Sequence, residues 1–255
     1  MDLTPIETYY DAVPRVSATT EDVGPFTLFL AVEGTGWDYY ARPRLGLGSA
    51  ITAADVHVVL ARQTELGKPH AIEWVDQVTP SLLPAVRSAL PEALIEECPV
   101  LVLPVDAEVP ITGPGRYVDL ASDSPDLGWV SGAQDAAFGD HDDVLDKPVG
   151  SRRELIADGS LVVVAAYDEA GRVIGGGSAS PRGETAELMG IGVVRSARQQ
   201  GHGTAITAAL VEAVRRRGVT RAFLSASPDG VGVYESLGFE RVATACILEP
   251  AEPSG

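Results

Sequence analysis

The sequence predicts an α/β fold built on a mixed sheet, and three observations carry that expectation. A β-branched run, residues 191–194, ends in a turn bearing Gly201 and Gly203 that opens directly into the helical pattern of residues 205–217. Residues 161–194 read as a meander of extended segments separated by polar turns. The succession helix, strand, helix, strand occurs twice, at 52–103 and at 203–248, with comparable lengths.

In order along the chain, residues 52–66 place Val56, Val59, Leu60 and Leu66 on one helical face, and Gly67 stops the pattern. Residues 71–75 read as a strand, 80–90 as a helix and 94–103 as a strand. The stretch after Pro104 carries Pro110, Gly113, Pro114 and Gly115 with little helical period, so a domain boundary is expected near residue 109, dividing 1–108 from 109–255. Residues 117–121 then form a first strand and 124–139 a helix. A second helix spans 151–158, with Ser151 and Glu154 three apart as a capping box. A buried strand at 161–167 turns through Asp168-Glu169-Ala170-Gly171 into its partner at 173–179. The turn at Pro181-Arg182-Gly183 leads to the long strand 185–194. In the helix after the glycine turn, Ile206, Ala209, Leu210, Ala213 and Val214 recur at helical spacing. Arg215, Arg216 and Arg217 complement the dipole in its last turn, and Gly218 ends it. A strand at 222–226, a short helix at 231–237 and a strand at 241–248 close the chain.

Bulk properties narrow the function classes. Net charge is −17, against binding to nucleic acid, whose phosphates demand cations. The acidic balance suits a cationic acceptor and, equally, simple solubility. The longest apolar run, 161–167, falls far short of the ~20 residues that span a bilayer. The acidic start lacks the apolar stretch of a signal peptide, so a cytoplasmic protein with no membrane partner is expected. Only two of the 19 basic residues are lysine, a usage typical of GC-rich bacterial genomes. Cys98 and Cys246 lie far apart in apolar segments and read as buried reduced thiols. His57, His70 and His141 show no metal-ligand spacing, so no metal is expected.

Strand, glycine-bearing loop and helix N-terminus together make an anion site. The amides of the first helical turn have no partner within the helix, the dipole adds partial positive charge there, and glycine lets a phosphate approach closely. No Lys-Ser/Thr follows the glycines, which excludes the P-loop of nucleoside triphosphatases. No third glycine or following acidic residue suits a dinucleotide fold. The spacing present is Q/R-x-x-G-x-G/A, as Arg198-Gln199-Gln200-Gly201-His202-Gly203. In this hexapeptide, in the strand and helix that flank it, and in a second motif at Val233-Tyr234-Glu235-Ser236-Leu237-Gly238-Phe239, residues 185–248 resemble the GNAT superfamily of N-acetyltransferases.

The resemblance implies the GNAT acyltransferase fold, acetyl-CoA as acyl donor and an amine as acceptor. It implies that Gln199, Gln200, Gly201, His202, Gly203 and Thr204 grip the pyrophosphate through backbone amides. Arg198 either adds charge there or is a solvated loop residue. It also implies that the pantetheine arm pairs with Ile191, Gly192 and Val193 where this strand splays from its neighbour. Tyr234 would protonate the departing thiolate, a task suited to a phenol of pKa ~10, or is an aromatic that packs its helix on the sheet. Many members carry a glutamate on this strand as general base. Glu187, six residues before Val193 and by the period of two on its face, fills that place, or is a strand-end glutamate in solvent. Ser227 stands where relatives often carry asparagine. His202 falls at a position that tolerates many residues and is expected to be a spectator in the chemistry.

The segment holding Asp135, Asp140, His141, Asp142, Asp143 and Asp146 either receives a cationic amine or is a solvated loop. The repeated helix–strand order predicts that residues 1–108 are a degenerate copy of the same fold. Their loop, Leu45-Gly46-Leu47-Gly48-Ser49, lacks both the arginine and the x-x-G-x-G spacing, so no coenzyme is expected there. The reading is an acetyl-CoA-dependent N-acetyltransferase of a small amine, catalytic in its second half. The alternative is a coenzyme-binding regulatory module that does not catalyse.

Overall fold

In a computed structural model that describes residues 2–32, 40–227 and 230–248, the chain divides into two units that are interleaved in sequence. The first comprises residues 1–100 and 242–255, the second residues 101–241.

The first unit opens with helix α1 (Thr4–Ala12), which buries Ile6, Tyr9 and Tyr10, and a hairpin of β1 (Ala18–Val23) and β2 (Phe26–Ala31). Gly24, with φ +57°, begins the two-residue turn between Val23 and Phe26. Strand β3 (Ala41–Pro43) pairs antiparallel with β2, and helix α2 (Ala53–Glu65) carries the chain over to β4 (Ile72–Val75), parallel to β3. Helix α3 (Leu82–Ala89) and strand β5 (Ile95–Val102) follow. The strand that pairs with β4 comes from the far end of the chain: β11 (Glu240–Leu248) sets Ala245 against Val75 and Leu248 against Ile72, and stands between β4 and β5. Its Cys246 packs in the same core as Trp74, Leu82 and Val86. A boundary near residue 109 therefore describes the units incompletely, because the last strand completes the first of them. Cys98 and Cys246 are both buried, and neither takes part in a disulfide.

The second unit has the strand order β10-β9-β8-β7-β6. Strands β6 (Arg116–Asp119), β7 (Val162–Tyr167), β8 (Val173–Arg182) and β9 (Thr185–Val193) run antiparallel in turn, and β10 (Arg221–Ser225) is parallel to β9. Beyond β10 the amide of Leu103 donates to the Ala222 carbonyl at 2.9 Å. Helix α4 (Leu127–Phe138) and helix α6 (His202–Arg215) pack on the sheet, with α5 (Arg152–Ala157) and α7 (Val231–Ser236) shorter. A run of antiparallel strands, a crossover helix and a parallel strand is thus the plan of both units, with three antiparallel strands in the first and four in the second.

One local expectation is corrected and another extended. Ser151 caps α5 with φ −76° and ψ 1°, and its side chain makes no cap bond. A serine reaches the N3 amide from extended backbone, and this one is not extended. The three arginines closing α6 do more than meet a dipole: Arg216 and Arg217 bind Asp119 at 3.1 and 2.7 Å, and Arg215 donates to the Ala107 carbonyl at 2.8 Å.

Candidate functional site

The expected parity of β9 fails at Gly190, and the failure reorganises the site. Opposite β8, Gly176 faces Gly192 while Ser178 faces Met189, so three steps on β9 answer two on β8. The extra residue is a bulge, with Gly190 at φ +61°, a conformation glycine adopts without strain. Opposed residues share a face, so Glu187 and Met189 lie with Gly192, not with Val193. Ala186 and Leu188 before the bulge share the α6 core with Val193 after it. Glu187 is therefore on the face that α4 covers, where a Cβ added to Gly192 would stand 2.8 Å from the Ala137 Cβ. Gln134 of α4 clamps the bulge, its Nε2 donating to the Gly190 carbonyl at 2.7 Å.

Strands β9 and β10 pair only from Thr185 with Arg221 to Glu187 with Phe223. Beyond that rung they separate, although β9 continues to Val193. Glu187 sits at the base of the fork, and the backbone of 191–193 flanks its open part.

A short 3₁₀ turn (Arg195–Ala197) leads from β9 into the glycine loop. Gln199 (φ +60°) and Gly201 (φ +88°) both take left-handed backbone, and Gly201 becomes the N-cap of α6, which starts at His202, three residues before its expected start. A glycine cap offers no side chain to the first-turn amides, which stay open for an anion. A Cβ on Gly203 would meet nothing within 4 Å. The structure brings Ile191, Gly192, Val193, Arg198, Gln199, Gly201, His202, Gly203 and Thr204 into the wall of one cleft of about 500 Å³, with Ala137, Phe138, Ala197 and Val233. Gln200 is outside that wall, its amide donating to the Ser196 carbonyl at 3.1 Å.

Arg198 is exposed, yet its guanidinium is bound to the protein and not freely presented. Its Nε donates to the Val193 carbonyl at 3.2 Å, Nη1 to Asp140 Oδ1 at 2.7 Å, and Nη2 to the Ala137 carbonyl at 2.5 Å. His202 is 5 % exposed, and its Nδ1 shares a 2.8 Å hydrogen bond with the Tyr117 hydroxyl. Burial holds the imidazole below its ordinary value and the Tyr117 phenol above its own.

Tyr234 lies on α7, half-buried, edge-on to Phe239 at 6.1 Å, and burial raises its phenol. Its neighbour Val233 is the α7 residue in the cleft wall. Ser227 is exposed and its carbonyl accepts from the Gly230 amide; Pro228 and Asp229 lie outside the described residues. Three carboxylates of the acidic segment are paired: Asp135 with Lys147, Asp140 with Arg198, and Asp142 with the Ser196 amide, which holds the Asp142 carboxyl below its usual range. Among the described residues no group of three or more metal-ligating side chains occurs. Sequence reasoning missed Gln134 and Phe138, which reach the site from α4; only their alignment with β9 in space reveals them.

The first unit builds the same position differently. Thr52 caps α2 and accepts from the Asp55 amide, while Asp55 accepts in return from the Thr52 amide at 2.9 Å. The Thr52 and Asp55 amides are bonded by the protein's own side chains, and the Asp55 carboxylate stands at this helix N-terminus.

The acetyltransferase (GNAT) family matches residues 129–239. No curated protein matches by sequence. Among solved structures, a GCN5-related N-acetyltransferase from Kribbella flavida is similar with a TM-score of 0.76 and 20 % identity, over 99 % of this chain and 96 % of that one. A GCN5-related N-acetyltransferase from Sphaerobacter thermophilus gives 0.59 at 14 % identity, over 98 % and 87 %. A tandem GNAT protein from the clavulanic acid biosynthesis pathway gives 0.53 at 15 % identity, over 90 % and 79 %. At these identities the likeness is one of fold, and it extends over both units. No helix among the described residues is long and apolar enough to cross a membrane. Residues 129–239 match the acetyltransferase (GNAT) family, in a chain with the fold of the GCN5-related N-acetyltransferases.

Proposed function

We propose that the protein transfers an acetyl group from acetyl-CoA to a primary amine, by direct attack, within residues 101–241. The observation that carries the reading is the open N-terminus of α6 facing the cleft beside the unpaired half of β9. The first supplies amides and dipole to a pyrophosphate, the second a backbone edge to the amide-bearing pantetheine arm. In the step proposed, the neutral amine nitrogen attacks the thioester carbonyl, its proton passes to Glu187 directly or through water, and the C–S bond breaks. The thiolate takes a proton from Tyr234. The position of Glu187 at the base of the fork, on the α4 face, supports an acceptor entering from that side. The closed cap of α2 supports a first unit that binds no coenzyme.

A module that binds coenzyme without turnover has one observation in its favour: Val233, not Tyr234, lines the cleft. Calorimetry with acetyl-CoA, followed by thiol release across a panel of amines, separates the two. Turnover on any amine supports the enzyme. Micromolar binding with no release on a broad panel supports the module, and no binding overturns both.

A further inference from the structure

We infer that Phe138 is the apolar wall against which the pantetheine arm seats, and that Arg198 serves the site by holding Phe138 in place and not by binding phosphate. The inference rests on the coenzyme reading above.

Phe138 is the last residue of α4 and is 71 % exposed, yet it stands in the cleft wall beside Ile191, Gly192 and Val193. Its ring edge lies 3.8 Å from where a Cβ on Gly192 would be, so the bare glycine lets the helix end overhang the strand. A lone exposed phenylalanine is ordinary on a surface. This one is mounted on a cross-linked turn. The amides of Asp140 and His141 donate back to the Ala137 and Ala136 carbonyls, a Schellman closure in which Asp140, at φ +56°, occupies the left-handed position where glycine is usual. Arg198 fastens that turn to the coenzyme loop through Ala137 and Asp140. The Ser196 amide adds a bond to Asp142 at 2.7 Å, and the Arg195 amide one to the His141 carbonyl at 3.4 Å. Three of the guanidinium's five N–H groups are spent on the protein, and its charge is answered by Asp140. The ring overlooks the stretch of β9 whose edge β10 leaves unpaired. An occupant with amides for that edge and methyl groups for the ring is a pantetheine.

The test compares acetyl-CoA with acetyl-pantetheine, which has no phosphate, by calorimetry on the full chain. Phe138→Ala should weaken both ligands about tenfold, and Phe138→Leu should restore most of the loss. Arg198→Ala should weaken both to a similar degree, and the double variant should be no worse than the poorer single one. Because Phe138 is exposed, its variants should melt as the wild type does. Wild-type binding with Phe138→Ala unchanged overturns the inference and leaves the coenzyme reading standing. A loss in Arg198→Ala confined to acetyl-CoA assigns that residue to phosphate and overturns its positioning role. If the wild type binds neither ligand, the coenzyme reading fails and this inference with it.

Discussion

The Tyr117 hydroxyl and His202 Nδ1, 85 residues apart in sequence, meet at 2.8 Å and join the first strand of the second unit to the first residue of α6. Burial depresses the imidazole, so folding favours its neutral form. The contribution to stability is complete above the ordinary histidine value near 6.5 and is lost as pH falls from there through the lower folded value. Denaturant melts between pH 7.5 and 5 should show this decline, and His202→Gln should flatten it. An unchanged slope in the variant would place the decline elsewhere.

Gly203→Val should reduce acetyl-CoA affinity at least tenfold, or ~1.4 kcal/mol, by blocking close approach of the pyrophosphate. The space around its Cβ position is open, so the melting temperature should hardly move. Calorimetry giving wild-type affinity would exclude the loop as the coenzyme site.

The two helix N-termini should respond in opposite ways. Thr52→Ala removes a cap and should cost about 1 kcal/mol of stability with no effect on coenzyme binding. Asp55 is held below its usual value by bonds from Thr52, so its share of stability is present above pH ~4 and is lost as pH falls through the folded value. Chemical denaturation at pH 7 and pH 3 measures both effects, and a loss of coenzyme affinity in Thr52→Ala would show the first unit to be involved in binding.

Tyr234→Phe keeps the ring against Phe239 and should leave stability and coenzyme affinity nearly unchanged, while turnover drops about 10²-fold. Glu187→Gln should lower the rate mainly below the amine's pKa and recover part of it at high pH, where the amine is neutral unaided. Wild-type rates in both variants at neutral pH, on a confirmed substrate, would leave catalysis to approximation of donor and amine alone.

Fragments should follow the units and not the proline-rich segment. Residues 101–241 should be soluble and bind acetyl-CoA. Residues 109–255 lack the 101–103 stretch beside β10 and expose β11 without β4, and should aggregate. Gel filtration distinguishes them; equal behaviour would argue against this division.

Much of the second unit was legible because its segments obey simple periods. The run 162–167 is buried throughout, and the apolar face of α6 recurs at helical spacing. The first fifty residues were not read as strands. Strand β1, Ala-Thr-Thr-Glu-Asp-Val, is mostly polar, and β3 has three residues with a buried arginine at its centre. Arg42 is kept there by Glu7 and Glu73 at 3.6 and 3.4 Å and by the Tyr10 ring, partners no local pattern announces. At the site, the hexapeptide located the loop. The face of Glu187 was misread because strict alternation was carried across Gly190, although a glycine inside a strand pattern is itself a bulge signal. The role of Arg198 depends on Ala137 and Asp140, sixty residues earlier, and spacing holds no trace of it.

The position of β11 sets an order of events on the ribosome. Domains ordinarily finish folding from the N-terminus as they emerge. Here residues 101–241 can close their own unit while the first hundred residues, made earlier, still wait for the strand that pairs with β4, which is made after that unit's other strands. A stop codon just before residue 242 would spare the half that carries the cleft and leave unfinished the half that was translated first.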